Sequence, residues 1–162
     1  VYGRGKTSLA AVVGELAQAR GFKIALAESC TGGLVSEMLT AISGSSSYYQ
    51  GGVVSYSNAS KVALLGVDAA TLEAHGAVSE AVAREMALGA QRVLGAEVAL
   101  ALTGIAGPTG GSEEKPVGLV FWAVATPSGV QVQSRVFRGD RAQIQRRAAT
   151  AGLWSLRAAL LG

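Results

Sequence analysis

Apolar and polar positions fall into blocks of two kinds along this chain. Residues 7–20, TSLAAVVGELAQAR, carry apolar side chains at three- and four-residue spacing, which predicts a helix stopped by Gly21. FKIALA (22–27) is mostly apolar and too short for a helix, the pattern of a buried strand. From Thr31 helical spacing returns in TGGLVSEMLTAI and closes at Gly44. GGVVSY (51–56) predicts a second strand, after which Ser57 or Asn58 can cap a short helix running to Leu65. Another short helix is expected over 67–75, ended by Gly76. Ser79 then caps the most regular helix of the chain, EAVAREMALGAQRVL (80–94), with Glu80 near the positive end of its dipole. An apolar strand at 97–102 leads into the glycine-rich TGIAGPTGGSEEKP, residues 103–116. VGLVFWAVAT (117–126) and VQVQSRVFR (130–138) read as strands joined through Pro127, Ser128 and Gly129, an antiparallel hairpin. A long arginine-bearing helix begins near Asp140.

Helices and strands alternate first and a hairpin follows. That order predicts an α/β domain of three layers, α/β/α, with a mixed central sheet that includes the C-terminal antiparallel hairpin. The 162 residues suit one domain over 1–162, with no internal repeat and no linker. With 49% hydrophobic residues and 15% charged ones, the chain has a core to bury and no tract polar enough for disorder. No apolar run approaches the roughly 20 residues that span a bilayer, and no basic segment precedes an apolar signal region. The single cysteine excludes an internal disulfide framework and points to a reducing, cytoplasmic compartment.

Net charge is only +3, but Arg135, Arg138, Arg141, Arg146, Arg147 and Arg157 crowd the last stretch against Asp140 alone. Such a cluster is either a solvated helix face or an anion site. With a net charge this mild, nucleic acid is the weaker partner.

Three loops at predicted strand ends carry candidate chemistry, the address where open α/β sheets bind ligands. In LAESCTGG (26–33), backbone N–H groups at a helix start, with glycines permitting close approach, can hold a phosphate or an oxyanion. The same residues also suit plain capping by Ser29 or Thr31, with Glu28 near the helix's positive end. Cys30 is either a nucleophile whose pKa is lowered by the helix or a small apolar filler. Adjacent residues at a strand end point in opposite directions, so Ser29 and Cys30 do not share one role. In SYSNASK (55–61), Lys61 falls in the first turn of a helix, where the dipole disfavours its ammonium, so it could serve a serine as general base. Tyr56 could relay a proton or stack on a flat ring; otherwise Lys61 is an exposed lysine and Tyr56 a half-buried tyrosine. The glycine spacing of TGIAGPTGG is not that of a dinucleotide-binding loop, and it suits close backbone contact with a ligand. GKTS (5–8) lacks the leading strand and glycine of a P-loop, and one His with one Cys cannot build a structural zinc site.

Taken together, AESCTGG (27–33), GSSSYYQGGVVSYSNASK (44–61), HGAVSE (75–80), TGIAGPTGGSEEKPVG (103–118) and RGDR (138–141) resemble the CinA C-terminal domain family of nicotinamide-nucleotide amidases. The resemblance runs in order from about Gly21 to the chain end. It implies hydrolysis of nicotinamide mononucleotide to nicotinic acid mononucleotide and ammonia, without metal or cofactor. By that resemblance Ser29 is the nucleophile and Lys61 its base, with Tyr56 assisting. The substrate-binding positions it implies are Glu28, Thr31, Gly32, Gly33, Asn58, Thr103, Gly104, Ala106 and Gly107, with Arg141 and Arg147 as phosphate ligands. Either the 31–33 or the 103–107 backbone holds the oxyanion, and the other holds the phosphate. The family's usual Ser-Asn-Glu-Ala-Lys stands here as Ser57-Asn58-Ala59-Ser60-Lys61, which keeps the lysine and loses an acid. VYGRGKTSL (1–9) is similar to the junction before this domain in two-domain CinA proteins. The chain, which begins with Val1, therefore reads as excised from a longer protein, residues 1–20 forming junction and first helix. A homodimer is also expected from its apolar helices. A nucleotide-binding regulatory module using the same loops without catalysis is the alternative reading.

Overall fold

The structure, a computed structural model, describes residues 8–162. The junction assigned to the first residues and most of the GKTS run lie outside them. In chain order the elements are α1 (Leu9–Arg20), β1 (Ile24–Glu28), α2 (Leu34–Thr40), β2 (Tyr49–Val54), α3 (Asn58–Leu65), α4 (Ala69–His75), α5 (Glu80–Leu94), β3 (Val98–Gly104), β4 (Leu119–Thr126), β5 (Gly129–Val136) and α6 (Arg141–Leu161). The open sheet has the order β2-β1-β3-β4-β5. β1 is parallel to both β2 and β3, whereas β4 and β5 are antiparallel additions, so the sheet is mixed as its element order predicts.

Side-chain size differs sharply between the two faces. On one face Ala25, Ala99 and Ala125 form a row across three strands, with Ala27, Ala101 and Ala123 forming the next. These rows pack against Val82, Ala83, Met86, Ala87 and Ala90 of α5, so that helix lies close on a surface of methyl groups. On the other face Ile24, Leu26, Leu100, Leu102, Trp122 and Val124 meet α1, α2 and α6. Each fully buried side chain of Leu or Ile size there contributes about 1.5–3 kcal/mol relative to exposure. Three layers result, and α5 fixes its neighbour as well. A Cβ added at Gly89 would stand 2.0 Å from the Leu65 carbonyl oxygen, so glycine is what lets α3 dock on α5.

Several boundaries shift from the sequence expectation. The second helix starts at Leu34, not Thr31, because Gly32 (φ 60°) and Gly33 (φ 106°) turn the chain through left-handed conformations first. It ends at Thr40, and a 3-10 turn over Ser45–Ser47 follows. β2 begins two residues early, at Tyr49, and β3 extends to Gly104 because Thr103 and Gly104 pair with Phe121 and Val120. Among the described residues no helix is long and apolar enough to cross a membrane.

Candidate active site

The β1–β2 connection carries α2 on one face of the sheet, and the β2–β3 connection carries α3, α4 and α5 on the other. The carboxyl ends of β1 and β3 therefore border a switch point, where the two crossovers diverge and leave a crevice. Ser29 follows β1, Ser55 and Tyr56 follow β2, and Thr103 closes β3, so all three loops singled out in the sequence converge there. Alternation along the strand sends Cys30 to the core shared with α6 and Ser29 to the α3 side.

Lys61 is the most unusual residue of this crevice. It is only 1% exposed, and its Nζ lies 3.0 Å from Ser29 Oγ, 2.9 Å from the Ser55 carbonyl and 3.4 Å from the Tyr56 carbonyl. Ser57 and Ser60 close a capping box that starts α3 one turn before Lys61 and so aims its side chain at β1. Burial pushes the amine below its ordinary 10.5, while the nearby thiol pulls weakly the other way. The direction agrees with the sequence reading, but desolvation rather than the helix dipole is the leading cause. Lys61 is a buried residue, so the surface-lysine alternative falls. Two carbonyls and a hydroxyl surround an amine that has no carboxylate partner among the described residues. In the neutral form its two N–H groups satisfy the carbonyls, and its lone pair is left facing Ser29.

Cys30 sits beside this pair, 5% exposed, and burial raises its thiol pKa to about 12. A thiol that stays protonated at neutral pH is a wall residue, not a nucleophile.

Glu28 has a different task from the one expected. Its carboxylate is 1% exposed and accepts four hydrogen bonds: Thr31 Oγ1 (2.7 Å) and Val35 N–H (2.9 Å) on one oxygen, Ser36 N–H (2.9 Å) and Ser36 Oγ (2.8 Å) on the other. Gly33, at the N-cap of α2, supplies no side chain, and neither Ser29 nor Thr31 caps the helix. The chain's own carboxylate thus occupies the place where a bound anion would sit at a free helix start. The Glu28 carboxylate and the Thr31 hydroxyl are spent on the turn itself, so neither side chain reaches the cavity, and Gly32 and Gly33 lie outside its lining.

The cavity, about 210 Å³, is lined by Ser29, Cys30, Tyr56, Asn58, Lys61 and Arg141, and closed by Ala77, Val78, Thr103, Gly104 and Ala106. In the same lining, Arg141 donates to the Gly107 carbonyl at 2.7 Å and to the Tyr56 hydroxyl at 2.9 Å. Both acceptors are neutral, so the guanidinium keeps its charge for an anion. Tyr56 is 60% exposed and its hydroxyl belongs to Arg141, so a part in proton transfer at Ser29 is not what the geometry gives it. Arg147 bonds the Arg138 carbonyl and lies outside the lining. Ala77 and Val78 were missed by the sequence reading. Thr103 Oγ1 donates to the Ala77 carbonyl at 2.9 Å and holds that segment over the cavity. A larger groove of about 700 Å³ between the β4–β5 hairpin and α6 has Arg20 as the ionisable side chain of its lining.

A small open α/β domain with a serine and a buried lysine at its switch point is the class these observations define. The CinA C-terminal domain family profile matches residues 6–160. A CinA-like protein of Anaeromyxobacter dehalogenans is 53% identical over 160 residues, covering 99% of this chain and 39% of that protein. One from Nostoc is 47% identical over 171 residues, covering 99% of this chain and 40% of that protein. The chain thus spans about two fifths of the length of these relatives. Among solved structures, competence damage-inducible protein A of Klebsiella pneumoniae superposes with a TM-score of 0.91 at 37% identity, covering 94% of this chain and 95% of that one. The competence/damage inducible protein of Agrobacterium tumefaciens gives 0.91 at 42% identity, with 95% and 94% covered. This chain belongs to the CinA C-terminal domain family.

Proposed function

We propose that this domain is an amidohydrolase that converts nicotinamide mononucleotide to nicotinic acid mononucleotide and ammonia, with Ser29 as nucleophile and Lys61 as its base. One observation carries the reading: a buried lysine, with no acidic partner among the described residues, stands 3.0 Å from a serine hydroxyl in a cavity that Arg141 also lines. An amide needs such a base. Its leaving group must be protonated, and its nucleophile must first lose a proton.

Neutral Lys61 takes the proton of Ser29 as Oγ bonds to the carboxamide carbon, while the carbonyl π pair moves to oxygen. The tetrahedral centre collapses, the C–N bond breaks, and Lys61 ammonium returns the proton so that ammonia leaves. Water then attacks the ester in the same way, giving the acid and regenerating Ser29. The Ser55 and Tyr56 carbonyls hold Lys61 Nζ beside Ser29 in both its neutral and its protonated form. Phosphate lies at the Arg141 end, beside Asn58 and the Ala106–Gly107 backbone, since Glu28 already fills the α2 start. The oxyanion then falls to the backbone directly after Ser29.

The test is ammonia release from nicotinamide mononucleotide, with and without chelator, by the parent, Ser29→Ala and Lys61→Met. Release by the parent alone, unaffected by chelator, is the expected result. Binding of the nucleotide without release would sink the reading and leave a regulatory nucleotide-binding module.

A further inference from the structure

The backbone donors after Ser29 can be accounted for one by one. Ser29 N–H is bonded to the Leu102 carbonyl, Gly32 N–H to that of Ser29 and Leu34 N–H to that of Thr31, each at 3.0 Å. Val35 and Ser36 N–H are held by Glu28. Among the described residues no hydrogen bond uses the N–H of Thr31 or Gly33, whereas that of Cys30 lies against its own thiol. The free donor nearest the nucleophile is thus Thr31 N–H, and the orientation of the Cys30–Thr31 peptide decides whether it is usable.

That peptide is held from outside the turn. Gln145 Nε2, on α6, donates to the Cys30 carbonyl at 2.9 Å. A trans peptide is planar, so fixing the carbonyl fixes the plane of the Thr31 N–H, which points the opposite way. The carbonyl faces α6, so the N–H is directed away from that helix. Donation to the carbonyl also polarises the peptide and strengthens its N–H as a donor. Gln145 lies four residues after Arg141, one helical turn along the same face of α6. One short stretch of helix therefore carries both a guanidinium that lines the cavity and the brace of the nucleophile turn.

We propose that Gln145 is a positioning residue for the reaction: it aims the Cys30–Thr31 peptide so that its N–H meets the oxyanion, and it ties that aim to the helix that bears Arg141. This rests on the amidase reading above. Deleting a preorganised oxyanion donor lowers kcat by roughly 10²–10³-fold, so releasing one from its brace is expected to cost about tenfold. The glutamine is half-buried and makes one hydrogen bond, so replacing it leaves the fold intact.

The experiment measures kcat and KM for ammonia release from nicotinamide mononucleotide by the parent, Gln145→Met and Gln145→Lys, with Tm for each. Methionine keeps the length and removes the donor; lysine keeps a donor at similar reach. The expected result is a kcat about tenfold lower for Gln145→Met at little changed KM, largely restored in Gln145→Lys, with Tm values within a few degrees. Unchanged kcat in Gln145→Met overturns the proposal, as does a loss confined to KM or an equal loss in both variants. A parent without activity refutes the amidase reading itself, and with it this role.

Discussion

Replacing Lys61 by methionine separates what the buried amine does for the reaction from what it costs the fold. The side chain is 1% exposed, and among the described residues no ion pair includes it. Unfolded, it titrates near 10.5; folded, burial sets its pKa lower. Between those two values the unfolded chain binds more protons than the folded one. The parent therefore loses stability as pH falls from about 10.5, at about 1.4 kcal/mol per pH unit, until the folded pKa is reached. Methionine escapes that penalty. It leaves the Ser55 and Tyr56 carbonyls without a donor, at about 1–3 kcal/mol each if no water replaces it, and this cost does not change with pH. The stability of Lys61→Met relative to the parent is thus expected to be lowest near pH 10.5, to improve as pH drops, and to level off at the pKa of folded Lys61. Urea unfolding followed by circular dichroism from pH 6 to 10.5 measures the difference, in which all other titrating groups cancel. The ascending limb of the parent's kcat should fall at the pH where the difference levels off. A difference that stays flat over the whole range refutes the depressed pKa and the role of base built on it.

Cys30→Ala is expected to keep kcat within a few-fold, because a thiol titrating at about 12 contributes a wall and no nucleophile; a loss as deep as that of Ser29→Ala would reverse the assignment. Arg141→Ala removes a charged donor worth about 1.5–3 kcal/mol, so KM for the phosphorylated substrate should rise roughly 10- to 100-fold, whereas Arg147→Ala, whose side chain lies outside the cavity, should leave it unchanged. Glu28→Gln presents an amide NH2 to the Ser36 N–H in place of an acceptor, which should cost about 1–3 kcal/mol in urea unfolding; unaltered stability would show that the carboxylate does not hold the turn.

Much of this molecule was legible in its sequence because local signals and packing agree. Ser79 caps α5 as the sequence predicts, α6 begins next to Asp140 where the sequence places its start, and the hairpin turns through the expected residues between Thr126 and Gly129. Ser29 and Lys61 were singled out and do meet. What the sequence hid is how polar groups are spent. Glu28 reads as a ligand in AESCTGG, yet it is consumed by donors seven and eight residues further on, a pairing visible only once the β1–α2 turn is folded. Tyr56 and Arg141 lie 85 positions apart, and nothing in the local pattern assigns the phenol to the guanidinium. Gln145 did leave a trace, since its spacing from Arg141 puts both on one helical face, but its acceptor is a backbone carbonyl that no sequence motif marks. Desolvation, which sets the pKa of Lys61, depends on the packing of α3 against the sheet, so the sequence suggested the right direction through a weaker cause.

The central claim is a covalent one, and acid quenching followed by mass spectrometry reaches it most directly. The parent protein mixed with nicotinamide mononucleotide for less than one turnover should yield a peptide containing Ser29 heavier by the nicotinate mononucleotide acyl group, bonded through Oγ. Lys61→Met and Ser29→Ala should yield none. Ammonia released by the parent with no adduct on Ser29 at any quench time, or an adduct on Cys30 instead, would contradict the account.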